Sequence, residues 1–216
     1  MSLTPEDATR LEECLAADGL ALIPTDTVYG LACNPESEIA VRRVYELKRR
    51  APLKPSAVMF FTLEPALRAL PEVGARTRAA MRVLLPGPVT LLLPNPRRRF
   101  PLACEPGGAT GRSSDDGGPA ILGLRVPLLE GPLAALAAIG VPAAQSSANL
   151  SGAPDPRRLG DVPAALREGT DLVLDGGGLP GTASTVIDLS EYERSGRWRI
   201  VRDGPLGAHA LERLLG

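Results

Sequence analysis

The sequence predicts an α/β fold: one domain, residues 1–216, built on a mixed parallel and antiparallel sheet. Three observations carry this. Apolar runs of strand length alternate with helical stretches for most of the chain. Three strand-like runs then cluster between residues 171 and 204, so strict alternation breaks down. A chain of 216 residues, 44% of them apolar, is long enough for one sizeable core.

The elements follow in order. Thr4 caps a first helix, Pro5 suits its first position, and Glu6 and Asp7 occupy its first turn. Leu11, Cys14 and Leu15 form its apolar stripe, and Gly19 ends it. Residues 20–23 read as a short buried strand. Ser37 caps a second helix with Ile39, Val41, Val44, Tyr45 and Leu47 facing inward, closed by Lys48-Arg49-Arg50 before Pro52. "SAVMFF" (56–61) is a strand, 64–85 one or two helices, and "VTLLL" (89–93) a strand. Residues 94–119 are rich in Pro, Gly and Ser without periodicity and read as a long functional loop. "ILGLRVP" (121–127) is a strand with a charge inside it, 131–140 a helix of small residues, and 141–154 a strand entering a polar turn. Residues 161–168 are helical. Strands at 171–178, 183–189 and 198–204 lead to a closing helix over 207–215.

Composition excludes several functions. The net charge of −1 gives no global field for nucleic acid or anionic membrane, so any basic function is local. Aromatic residues are 3%, too few for a base-stacking platform. Cys14, Cys33 and Cys104 are odd in number and far apart, which argues against disulfides or zinc and for a reducing cytoplasm. No apolar run has membrane-spanning length, and the polar start is no signal peptide. The single histidine, His209, rules out a histidine-rich metal site and reads as a helix-surface residue.

Candidate chemistry gathers at strand ends. "PTDTVYGL" (24–31) follows the first strand at once with Thr25, Asp26, Thr27 and Tyr29. Lys48, Arg49, Arg50 and Lys54 surround one strand mouth, because Pro52 and Pro55 hold the chain extended. They either complement a helix dipole or meet a polyphosphate. Arg125, inside a strand, requires a partner. That partner is an internal carboxylate, Asp26 or Asp188, or a substrate carboxylate gripped by the guanidinium fork. Ser146, Ser147, Asn149 and Ser151 crowd one turn, either capping local backbone or offering neutral donors to a ligand. There is no GxxxxGK[ST] phosphate loop, and "GGGLPG" (176–181) lacks the setting of a dinucleotide fingerprint. Together these groups suit a small zwitterion beside a polyphosphate.

The ordered motifs "PTDTVYGL", "KRRAPLKP", "LPGPVTLLL", "LGLRVP", "SSANLSG", "STVIDL" and "RDG", spread over residues 20–206, resemble the YrdC-like family of threonylcarbamoyl-adenylate synthases. The resemblance implies a twisted sheet flanked by helices, with a concave, positively charged groove. It implies that L-threonine, bicarbonate or CO2, and ATP with Mg²⁺ become threonylcarbamoyl-adenylate and pyrophosphate. That product serves tRNA modification through a partner threonylcarbamoyl-transferase, and the chain looks like the short, single-domain form. It places threonine on Thr27, Arg125, Ser147 and Ser184. It places the nucleotide on Lys48, Arg50, Lys54, Ile121, Asn149 and Arg202, with Lys48 and Arg50 as catalytic cations. The chain departs from the family pattern at Ser56, Met59, Ala183 and 155–157. Two other readings stay open from the residues: an RNA-binding module, and a carbamoyl- or acyl-adenylate synthase with a different acceptor. Residues 94–119 are the candidate lid.

Overall fold

The structure is a computed structural model describing residues 2–49, 56–104, 120–150 and 152–216. Among them nine strands form one sheet: β1 (Ala21–Ile23), β2 (Gly30–Cys33), β3 (Ala57–Met59), β4 (Val89–Pro94), β5 (Ile121–Arg125), β6 (Ala143–Ser147), β7 (Leu172–Val173), β8 (Thr185–Asp188) and β9 (Arg199–Arg202). Their order is β7-β1-β2-β6-β3-β5-β4-β8-β9. The pairs β1–β7, β3–β5 and β4–β8 are parallel, and the other neighbours run antiparallel. The sheet is mixed, as expected.

The helices are α1 (Pro5–Ala16), α2 (Glu38–Leu47), α3 (Leu63–Ala69), α4 (Ala75–Leu84), α5 (Pro101–Cys104), α6 (Ala164–Glu168), α7 (Tyr192–Ser195) and α8 (Ala208–Leu215). Two short 3₁₀ helices, Gly131–Ala138 and Leu159–Asp161, join them. Thr4 and Asp7 form a reciprocal capping box at the start of α1. At its end Asp18 takes the left-handed conformation, φ 58°, and Gly19 N donates to Cys14 O at 2.8 Å. A Cβ on Gly19 would lie 2.7 Å from Cys14 Sγ, so only glycine lets the chain turn this closely into β1.

Two differences from the sequence reading have clear causes. Ile39 is 59% exposed, because the inner stripe of α2 is Ala40, Val41, Val44 and Tyr45, which leaves position 39 on the far side. The stretch expected to be an α-helix over 131–140 is a 3₁₀ helix. No side-chain cap starts it, and its small residues leave little to favour the wider helix.

Side-chain alternation gives the sheet two unlike faces. On one, Leu22, Leu31, Val58, Leu91, Leu124 and Ile187 join α2, α3, α4 and α8 in the main core. On the other, Ala21, Ile23, Ala32, Met59 and Ala143 pack with Leu11 and Leu15 of α1 and with Leu136. Each buried leucine contributes roughly 1.5–3 kcal/mol. Among the described residues this second cover does not extend over the whole sheet. Beyond Met59 the same face continues through Gly123, Arg125, Thr90, Leu92 and Val186, by strand register. Gly123, Leu92 and Val186 there remain partly exposed, so this half of the face is an open floor. His209 is an exposed residue of α8, as expected. Among the described residues no helix is long and apolar enough to cross a membrane.

Candidate active site

The site begins in the turn between β1 and β2. Pro24 ends the apolar run, and the following hydroxyls replace strand hydrogen bonds with local ones. Thr25 Oγ1 donates to Val28 O at 2.7 Å and accepts from Thr27 N and Val28 N, both at 3.3 Å. The two threonine hydroxyls lie 3.1 Å apart, and both residues are buried. Arg125 projects from β5 into this turn. Its Nη2 donates to Asp26 Oδ1 at 2.6 Å, to Thr25 Oγ1 at 3.2 Å and to Thr27 Oγ1. Asp26 Oδ2 accepts from Leu128 N at 3.0 Å. Asp26 is therefore the internal partner, while Asp188 pairs with Arg199 at 2.7 Å.

That pairing leaves the guanidinium incomplete. Arg125 is 3% exposed, yet among the described residues its buried Nε has no hydrogen-bond partner. An unmatched buried donor costs about 1–3 kcal/mol, more when charged. The site thus retains hydrogen-bonding capacity for an acceptor that the described residues do not supply.

A second polar group continues across the sheet. Thr90 stands directly opposite Arg125 in the β4–β5 register. Its Oγ1 lies 2.8 Å from Ser184 Oγ. Arg202 then reaches Ser184, donating from Nη2 to the carbonyl at 2.8 Å and to Oγ at 3.1 Å. Partial burial pushes the Arg202 guanidinium below the usual arginine range; Asp155 pulls it back up, and Arg125 adds to the lowering. Asp155 and Arg125 therefore both stand within electrostatic reach of Arg202. Gly204 makes the geometry possible: a Cβ there would sit 2.3 Å from Thr185 N and 2.6 Å from Ala183 O.

A third group lies at the end of β6, which pairs with β2 through Ser147 and Gly30. Asn149 Oδ1 accepts from Ser147 Oγ at 2.7 Å and from Lys48 Nζ at 3.2 Å. Lys48 Nζ also donates to Ser147 O. Ala148 N donates to Tyr29 O at 2.8 Å, joining this turn to the one holding Thr27. The Tyr29 phenol points elsewhere: it lies 2.8 Å from Asp175 Oδ1 and accepts from Gly176 N at 3.1 Å. Burial pushes its pKa well above the usual phenol range.

The Sua5/YciO/YrdC family model, described as "Telomere recombination", matches residues 13–204. The chain belongs to this family. A threonylcarbamoyl-AMP synthase of Chromohalobacter salexigens is 33% identical over 87% of this chain and 97% of its own length. One of Pyrococcus abyssi is 30% identical over 91% of this chain, which spans only 54% of that relative. The crystal structure of P. abyssi Sua5 complexed with L-threonine superposes with a TM-score of 0.79 at 27% identity, over 100% of this chain and 59% of that one.

Seven of the residues expected at a Sua5/YciO/YrdC site fall into these three groups. Thr27 joins Arg125; Ser184 joins Arg202; Ser147 and Asn149 join Lys48. Ile121 opens β5 opposite Pro94, on the rim of the open floor. Arg50, Lys54 and Ser151 lie outside the described residues, as does most of the candidate lid, residues 105–119. Lys48 is 2% exposed and turned onto the Ser147–Asn149 turn, rather than standing as a surface cation. Thr90, the strut between the Arg125 and Ser184 groups, escaped the sequence reading. Its only signal was a hydroxyl in a run of leucines.

Proposed function

We propose that this chain is a threonylcarbamoyl-AMP synthase, joining L-threonine, bicarbonate or CO2, and ATP into threonylcarbamoyl-adenylate and pyrophosphate. The carrying observation is Arg125: a buried guanidinium whose Nε is unpartnered among the described residues, set among the hydroxyls of Thr25 and Thr27. That is the chemistry of a fork for an amino-acid carboxylate beside acceptors for a side-chain hydroxyl. The L-threonine complex of the similar P. abyssi protein supports the reading.

Threonine lies on Thr27, Arg125, Ser147 and Ser184, and ATP on Ile121, Asn149 and Arg202, with Arg50 and Lys54 serving its phosphates and Lys48 acting through the Ser147–Asn149 turn. The threonine amine takes up CO2 to form a carbamate. One carbamate oxygen attacks the α-phosphorus. The bond from that phosphorus to the bridging oxygen breaks, and pyrophosphate leaves with the electron pair. The carbamate is already anionic, so this step needs no histidine base. Position and charge neutralisation supply the rate. Lys48 fixes the Ser147–Asn149 turn, while Arg50, Lys54 and Arg202 balance the charge of the departing pyrophosphate. The product is a mixed anhydride, so water must be kept away from it.

Mg²⁺ arrives with ATP and lowers the charge of the triphosphate. The donor set fits an ion held by the nucleotide, not by a protein cage. Among the described residues no three His, Cys, Asp or Glu side chains converge, and both Asp26 oxygens are engaged. The adenylate then serves threonylcarbamoylation of tRNA through a separate transferase, in the cytoplasm. The test is pyrophosphate release from ATP and Mg²⁺ with threonine and bicarbonate omitted in turn. Release that requires both supports the synthase; release indifferent to threonine assigns another acceptor.

A further inference from the structure

We infer that Asp26 is a positioning residue for the substrate carboxylate, acting through Arg125; the inference rests on the synthase reading. Asp26 directly precedes Thr27 and bonds Arg125, two of the four residues expected to meet threonine, without being assigned to the ligand itself. Its two oxygens do different things. Oδ1 accepts from Arg125 Nη2 at 2.6 Å, and Oδ2 accepts from Leu128 N at 3.0 Å. The first bond fixes the guanidinium in the plane that leaves Nε unpaired. The second ties the carboxylate to the chain just past β5, so it cannot swing aside. The pair is deeply buried, with side chains 4% and 8% exposed.

Two roles are conceivable for a carboxylate placed here, and the geometry separates them. A placeholder would occupy Arg125 until threonine displaced it, and would be held by Arg125 alone. A strut would be held from a second side and would leave part of the guanidinium unmatched. Asp26 has the second anchor, and among the described residues the buried Nε is the unmatched part. All the described hydrogen bonds of Arg125 leave from Nη2, so Asp26 does not use the Nε hydrogen. Asp26 also offsets one positive charge where Arg125 and Arg202 stand within reach of each other.

The experiment is threonine- and ATP-dependent pyrophosphate release by the wild type, Asp26→Asn, Asp26→Glu and Arg125→Met, with the double variant Asp26→Asn/Arg125→Met. Asparagine cannot accept from both Arg125 and Leu128 N. Asp26→Asn should raise the threonine KM at least about fivefold, with the ATP KM moving much less. Glutamate at 26 should recover part of the loss. The double variant should be no worse for threonine than Arg125→Met, because Asp26 acts only through that side chain. A folded Asp26→Asn with an unchanged threonine KM overturns the assignment, and so does a lowered KM, which is the signature of a placeholder. If Asp26→Asn does not fold, Asp26→Ser, which likewise cannot accept from both Arg125 and Leu128 N, carries the test, and a wild-type threonine KM in a folded Asp26→Ser overturns the inference. A wild type whose pyrophosphate release ignores threonine removes the synthase reading itself, and the inference with it.

Discussion

Replacing Arg125 by methionine should damage both stability and threonine use, and a second substitution should separate the two. The side chain is 3% exposed and supplies three hydrogen bonds to the β1–β2 turn. In Arg125→Met the Asp26 carboxylate keeps only Leu128 N. Removing one member of a buried ion pair costs about 3–5 kcal/mol. At roughly 2–4 °C per kcal/mol for a domain of this size, Tm should fall by about 6–20 °C. Replacing both members by apolar residues is often close to neutral, so Arg125→Met/Asp26→Leu should regain most of that stability. It should not regain threonine use. A hydrogen bond to a charged group contributes about 1.5–3 kcal/mol, so the threonine KM should stay raised at least about tenfold in both variants. The assays are thermal unfolding by circular dichroism and pyrophosphate release against threonine concentration. A folded Arg125→Met within about 2 °C of wild type, with a threonine KM changed less than about threefold, would refute the reasoning.

Other outcomes follow from the same contacts. Gly204→Ala places a Cβ 2.3 Å from Thr185 N, a backbone atom that cannot give way, and should cost about 1–3 kcal/mol. It should also raise the ATP KM by lifting Arg202 from Ser184, which steady-state kinetics at fixed threonine would read. At the far edge of the sheet, hydrogen bonds from the Arg43 guanidinium and Leu20 N hold Asp171 below the usual carboxylate range, against a small opposing effect of burial. Its native pKa lies below the unfolded value of about 3.9, so its contribution to stability is complete above that pH and is lost as pH falls through the native pKa. The Tm gap between wild type and Asp171→Asn should therefore be full at neutral pH and shrink below about pH 4; a gap that widens on acidification would contradict the pairing.

Much of this arrangement was legible because long apolar runs are hard to misread. β5 and β8 lie inside the runs 121–127 and 183–189 read as strands, and β4 runs one residue past "VTLLL" (89–93). β2 was not legible. "GLAC" is four residues long, opens on glycine and follows a polar turn, yet it pairs with both β1 and β6. Only its neighbours make it a strand. The short helix α5 likewise lies within the stretch read as loop. At the site, the demand of a strand arginine for a carboxylate was visible, but the choice between Asp26 and Asp188 was not. It is settled across the sheet, where Arg199 already occupies Asp188. Lys48 carries a further lesson. Position 48 continues the Ala40–Val44 stripe of α2, so its stem is drawn inward and its ammonium reaches the Ser147 turn. Read as a helix-terminal cation, it looked like a surface charge.

The most direct measurement is mass spectrometry of the product formed from ¹³C-bicarbonate, L-threonine and ATP with Mg²⁺, quenched before the anhydride hydrolyses. An adenylate containing both the threonine mass and the ¹³C label, formed one for one with pyrophosphate, is the outcome expected of a Sua5/YciO/YrdC synthase. Pyrophosphate accompanied by an adenylate without threonine, or without the label, would contradict it.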